Sequence, residues 1–255
     1  MDKTLRVTLV ANAGLLLEYN GITLLLDGIY GTEGHPFSNL SPQVWQDMKA
    51  GRPPFHKVDA LLFTHGHPDH FSPEMTLEYL RCRPVKGLFA PHTSRVEASG
   101  LTAFLKERNI PCVWLSEETE RTGFRITPDI TVRAFQTRHL DKQFEKVRHF
   151  CYLITFGDKN VLFTGDVDYV NEDLSRLKNV RLDAAFINPL FFSVLCHGKF
   201  FRGRLEAQHI LVYHVPFLQD DTMGMLTGLE RNLARWPEER GKVTALGEPF
   251  QQVFL

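Results

Sequence analysis

The sequence predicts a mixed α/β domain with many strands, and three observations carry that prediction. Short apolar runs of strand length recur along the chain, turn residues sit between two pairs of them at Asn20-Gly21 and Gly157-Asp158, and helix-like segments separate others. A length of 255 residues with 43% hydrophobic content is enough for one large domain with a buried core, so 1–255 is read as a single domain.

The chain begins as a β-meander, because Leu15–Tyr19 and Ile22–Leu26 flank Asn20-Gly21, the strongest short hairpin signal. Residues 28–56 then break the pattern with Gly28, Gly31, Gly34, Pro36, Pro42, Gly51, Pro53 and Pro54, while Tyr30, Phe37, Trp45 and Phe55 supply aromatic surface. That composition predicts an irregular excursion, either a lid over a site or a packed surface loop. Asp59 to Thr64 is a compact apolar strand, and Ser72-Pro73-Glu74 has the N-cap, first-turn proline and early acid of a helix start. Strands are expected at Val85 to Ala90, Thr131 to Thr137, Tyr152 to Phe156, Val161 to Phe163, Ala184 to Asn188 and Ile210 to Tyr213. Helices are expected at Ser94 to Arg108, Asn171 to Leu177 and Thr222 to Arg235, and Val243 to Leu255 closes the chain as extended structure. No internal repeat, low-complexity tract or linker interrupts this order.

Charge and cysteine usage narrow the function classes. Lys and Arg number 29 against 30 Asp and Glu, a net charge of -1, so there is no basic excess to draw the protein onto nucleic acid or anionic lipid. A small-molecule partner is expected instead. Cys82, Cys112, Cys151 and Cys196 form no C-x-x-C pair and read as buried small apolar residues in a reducing compartment. Asp2, Lys3, Arg6 and Asn12 interrupt the N-terminal apolar run, and no stretch of about 18 apolar residues occurs. A cytoplasmic location without a membrane span is therefore expected; oligomeric state is not legible.

The chemistry concentrates in Thr64-His65-Gly66-His67-Pro68-Asp69-His70. Three imidazoles and a carboxylate within six residues suit a borderline-soft divalent ion such as zinc, which takes nitrogen and carboxylate oxygen together. At this chain's own His and Asp frequencies the pattern arises by chance in roughly one such sequence in a thousand. Alternate residues of an extended turn point the same way, so His65 and His67 can face one ion while Asp69 and His70 turn toward a second. One loop does not complete two coordination spheres. Further candidates stand just past other strands: His139 after Thr131 to Thr137, Asp166 after Val161 to Thr164, and His214 after Ile210 to Tyr213. Strand ends converge on one sheet edge, which is how open α/β folds assemble sites.

With these residues in place, the chain resembles the metallo-β-lactamase fold hydrolases along essentially its whole length. The resemblance rests on Thr64 to His70, Asp27 at an earlier strand end, then His139, Gly165-Asp166 and His214 in order. It implies a four-layer αββα sandwich with the site between the tops of two sheets. It further implies that His65, His67 and His139 hold one metal, Asp69, His70 and His214 a second, and that Asp166 bridges, with Asp27 orienting the signature loop. Phe71-Ser72 stands where hydroxyacylglutathione hydrolases and many β-lactamases carry Gly-Gly, which sets those two apart, and the whole pattern is more similar to the ascorbate-phosphate lactonase-like branch, where the segment before the motif is also Pro- and Phe-rich.

Two divalent ions, with zinc expected and iron or manganese as the alternatives, would activate a water for hydrolysis without a protein nucleophile, Asp69 and Asp166 orienting it or taking its proton. His197, with Lys199, Arg202 and Arg204 close behind, could receive an anionic substrate or form a solvated basic loop. The expected activity is hydrolysis of a small ester, lactone or phosphorylated metabolite. A phosphodiesterase or nuclease, a sulfur dioxygenase-like oxidoreductase on a single iron, and a non-catalytic metal-binding protein are the alternatives.

Overall fold

Leu15, Leu17 and Tyr19 face one side of their strand and Leu16 the other, and the same alternation separates Leu24 and Leu26 from Leu25, and Val161 and Phe163 from Leu162. Successive side chains of a strand point to opposite faces, so strands apolar on both faces must be covered on both. The computed structural model, which describes residues 3–31, 37–119, 123–170, 172–192, 206–235 and 237–255, meets that demand with two sheets packed together and helices on each outer face. This is the αββα arrangement.

The first sheet holds β1 (Arg6–Leu9), β2 (Leu15–Tyr19), β3 (Ile22–Leu26), β4 (Ala60–Leu62), β5 (Gly87–Pro91) and β6 (Cys112–Leu115), with β14 (Gln252–Phe254) beside β1. The second runs β13 (Val243–Ala245), β12 (Ala207–Val212), β11 (Leu182–Ile187), β10 (Lys159–Phe163), β9 (His149–Phe156), β8 (Ile130–Thr137) and β7 (Phe124–Thr127). Both are mixed: β3 to β6 pair in parallel, as do β10 to β13, and the remaining pairs are antiparallel. Leu17, Leu26, Tyr152, Phe163 and Phe186 fill the layer between the sheets. Against the first sheet lie α1 (Pro42–Ala50), α2 (Pro73–Cys82), α3 (Ser94–Ser99) and α4 (Leu101–Glu107), which bury Met48, Leu80, Val96 and Leu105 on Leu16, Leu25 and Leu61. Leu229 and Leu233 of α5 (Met225–Leu233) cover the second sheet with Phe191 and Phe192.

The predicted hairpin forms with Tyr19 opposite Ile22 and both turn residues in the left-handed region, Asn20 at φ 52° and Gly21 at φ 74°. Other expectations are corrected. The excursion at 28–56 contains α1, whose Ser41 side chain caps Val44 N–H, with Pro42 in the first turn and Gly51 left-handed at the end. Ser94 to Arg108 is two helices, parted at Gly100 with φ 79°. Asp173–Leu177 is a 3-10 segment where an α-helix was expected. Val243 to Leu255 supplies one short strand to each sheet, and β6 and β7 were not foreseen. Cys151 is buried, but Cys82 is exposed, so it is not a core residue; Cys196 lies outside the described residues. Among the described residues no helix is long and apolar enough to cross a membrane.

Candidate metal centre

The signature residues lie on the loop from β4 to α2, where His70 N–H and Phe71 N–H both bond to the His67 carbonyl (3.1 and 2.9 Å) and Ser72 caps the helix through Met75 N–H. Asp27 follows β3 and His139, Asp166 and His214 follow β8, β10 and β12, so two sheets contribute to one edge. Two groups of donors result. His65, His67, His139 and Asp166 bring ligand atoms within 4.8 Å of one another, and so do Asp69, His70, Asp166 and His214. Asp166 belongs to both: its Oδ2 lies 3.9, 3.7 and 3.4 Å from Nε2 of His65, His139 and His70, and its Oδ1 lies 3.4 Å from His214 Nε2.

The far side of each ring decides what the near side offers. Thr64 Oγ1 donates to Asp27 Oδ2 at 2.6 Å, so its contact with His65 Nδ1 at 3.0 Å must be donated by the imidazole. His70 Nδ1 bonds to Asp27 Oδ2 at 2.9 Å and His139 Nδ1 to the Leu140 carbonyl. With Nδ1 protonated, each neutral ring turns a bare Nε2 lone pair inward, the tautomer that metal ligands adopt. His214 has its backbone N–H on the Asn12 carbonyl at 3.0 Å and its Nδ1 beside Asn12 Nδ2 at 3.0 Å, while Asn12 Oδ1 is buried without a partner. A half-turn of that amide would put Oδ1 on His214 Nδ1–H and free Nε2. His65, His70 and His139 thus aim acceptors at two carboxylates, and His214 would join them with the amide turned, an arrangement short of protons that cations complete. The residues present fit two metal ions.

Electrostatics agree with that reading. Burial pushes the His65 imidazole well below the ordinary histidine value, with neighbouring His70 adding to it, and burial takes His67 down to about 4. Burial opposes charge on Asp69 and Asp166 too, but the His214 and His70 imidazoles outweigh it and hold both carboxyls well below the usual range. Burial alone would lower His70; Asp166 and Asp27 outweigh it and raise its pKa well above the ordinary value. Without a cation the cluster therefore takes its proton at His70, where a cation would compete for the same lone pair.

Strain accompanies the site. Asp27 (φ 45°), Asp141 (φ 71°) and His214 (φ 58°) are non-glycine residues in the left-handed region, each costing about 1–3 kcal/mol. A cavity of about 350 Å³ opens over the clusters between His67, Asp69 and His214 and the side chains of Phe37, Phe144, Leu190 and Met225. Phe37 stands edge-on to His214 at 4.6 Å and Phe144 edge-on to His67 at 4.6 Å. Phe37 is held through its neighbour: Ser38 carbonyl accepts from Tyr30 Oη and Asn12 N–H, and Ser38 Oγ bonds to Phe217 N–H and Asp220. The segment before α1 thus walls the site. Sequence reasoning gave no role to Asn12, His149 or Phe144 and named Phe37 only as aromatic surface; His149 begins its strand, whereas the candidates that were singled out follow theirs. His197, Arg202 and Arg204 lie outside the described residues.

A four-layer sandwich with His/Asp clusters at the strand ends of both sheets defines the metallo-β-lactamase class of fold. The model of the beta-lactamase superfamily domain matches residues 24–194, more than half of the chain, and the protein belongs to that family. Comparison with curated proteins finds no match. Among solved structures it is similar to a metallo hydrolase from the archaeon Ignicoccus hospitalis, at 15% identity and TM-score 0.64, covering 99% of this chain and 98% of that one. The metallo-beta-lactamase fold protein YhfI from Bacillus subtilis matches at 16% identity and TM-score 0.63 over 100% of both chains. The diiron β-hydroxylase CmlA from Streptomyces venezuelae matches at 18% identity and TM-score 0.64, covering 100% of this chain and 55% of that one. At these identities the likeness concerns the fold.

Proposed function

We propose that the protein is a hydrolase that uses two divalent metal ions on a small ester or lactone in the cytoplasm, with zinc as the metal. His65, His67 and His139 would hold one ion, Asp69, His70 and His214 the other, and Asp166 both. The observation that carries the reading is the Asp166 carboxylate, whose Oδ2 lies 3.9 and 3.7 Å from His65 and His139 of one group and 3.4 Å from His70 of the other, with Oδ1 3.4 Å from His214, at the floor of an apolar-walled cavity. Bound ions would act as Lewis acids and lower the pKa of water from 15.7 toward about 7. Asp69, ionised and lining the cavity with Oδ2 3.6 Å from His214 Nε2, is placed to accept the proton of the attacking water. Phe37, Phe144, Leu190 and Met225 exclude bulk water and receive an uncharged acyl or ring portion.

Elemental analysis of purified protein, followed by a panel of lactones, a phosphorylated lactone, thioesters and phosphodiesters, tests the proposal. Two zinc per chain and turnover of uncharged esters or lactones are expected; bound iron with no hydrolysis would move the protein to oxidative chemistry of the kind CmlA is named for. Asp166→Ala is expected to abolish hydrolysis and lower bound metal, and full activity in that variant would remove Asp166 from its role.

A further inference from the structure

One buried imidazole at the site lies outside both ligand groups. His149, the first residue of β9, is fully buried beside His65 and His139, with ring centroids 5.1 and 5.7 Å away. Its bonds have a determined direction. The Asp166 backbone N–H can only donate, and it meets His149 Nε2 at 2.9 Å, so Nε2 is the acceptor and the ring proton sits on Nδ1. That proton goes to Thr137 Oγ1 at 2.7 Å. Thr137, already accepting, turns its own hydrogen to Cys151 Sγ at 3.5 Å, and the Cys151 thiol donates to the Thr164 carbonyl at 3.3 Å. The relay starts and ends on the same turn, 164–166, the one that carries Asp166. Gly165 in that turn has φ 53°, and a side-chain carbon there would lie 2.7 Å from His149 Nε2, so turn and ring are in direct contact.

We infer that His149 is a positioning residue: it fixes the backbone of Asp166 so that its carboxylate faces both ligand groups at once. This rests on the reading of Asp166 as the shared ligand. Leu140 N–H grips the Asp166 carbonyl at 2.7 Å, so the residue is held on both sides of its Cα. A carboxylate that must face two groups tolerates little rotation, and the supporting hydrogen bond supplies that restraint.

The metal-free protein and its His149→Gln and His149→Leu variants would be titrated with Zn²⁺ against a chromophoric chelator, with circular dichroism recorded on the same samples. Gln keeps an acceptor near the Nε2 position; Leu keeps bulk and removes it. The expected result is two ions on the unaltered chain, a loss of about 10–100-fold in affinity for His149→Leu at unchanged fold, and recovery of most of it in His149→Gln. If the unaltered chain takes up fewer than two ions, the dinuclear reading falls and this inference with it. If it takes up two and a folded His149→Leu binds them equally well, the inference alone is overturned. Should His149→Leu not fold, Thr137→Val leaves the imidazole and removes the partner of Nδ1; weaker zinc affinity is then expected, and unchanged affinity overturns the inference.

Discussion

Asp27 gathers three hydrogen bonds on one fully buried carboxylate: Oδ1 accepts from Thr64 N–H at 2.8 Å, and Oδ2 from Thr64 Oγ1 at 2.6 Å and His70 Nδ1 at 2.9 Å. It therefore sets the entry of the signature loop and, through His70, the direction of one lone pair. Asp27→Asn keeps the shape and tolerates the left-handed backbone, but it replaces one acceptor oxygen with a donor and removes the charge that strengthens all three bonds. Metal affinity is expected to fall about 10–100-fold with the fold retained, read by chelator competition and circular dichroism. Asn12, whose amide lies 3.0 Å from His214 Nδ1, would play the corresponding part for His214 with its Oδ1 turned to that nitrogen. Asn12→Leu, of similar bulk and without an amide, should lower zinc affinity in the same assay, and an unchanged affinity would mean that the backbone contact to His214 suffices.

At the scale of elements, what was legible in the sequence was what local pattern encodes. The hairpin at Asn20-Gly21 and the start of α2 at Ser72-Pro73 rest on turn and cap chemistry that acts within four residues, and the ligand positions followed from strands ending next to His or Asp. The same chemistry was present at Ser41-Pro42, yet surrounding glycines and prolines masked a nine-residue helix. Positioning residues were less visible still, because His149 and Asn12 are defined by partners 17 and 202 residues away. The helix can be tested through its cap. Ser41→Ala removes the acceptor for Val44 N–H and should cost about 1 kcal/mol, seen as a lower urea midpoint at constant slope, with zinc affinity unaltered. A larger loss, or a change in metal binding, would mean that Ser41 also fixes the Phe37 wall.

Across the whole molecule, the ligand groups join the two sheets at the same edge where Phe150 N–H meets the Thr64 carbonyl at 2.9 Å and Tyr152 Oη the Phe63 carbonyl at 2.8 Å, above the apolar layer between them. His65, His67, Asp69 and His70 hang from the first sheet, and His139, Asp166 and His214 from the second, so each proposed ion would bridge the sandwich at its open edge. Ions bound only by the folded state stabilise it by mass action, about 2.7 kcal/mol per site at a hundredfold excess over the dissociation constant. In a chain of this size each kcal/mol moves Tm by about 2–4 °C. Chelation should therefore lower Tm in one cooperative step, measured by calorimetry with and without chelator; an identical Tm in both would disconnect the clusters from metal. The shift also has a pH sign. His70 is held protonated above the ordinary histidine range by Asp166 and Asp27, and an ion needs that ring neutral, so binding must expel the proton. The metal-dependent gain in Tm should shrink as pH falls, since acid competes at His70, and calorimetric titration in two buffers of different ionisation enthalpy should register proton release. A gain in Tm that is constant between pH 5 and pH 8 would place the bound metal away from His70.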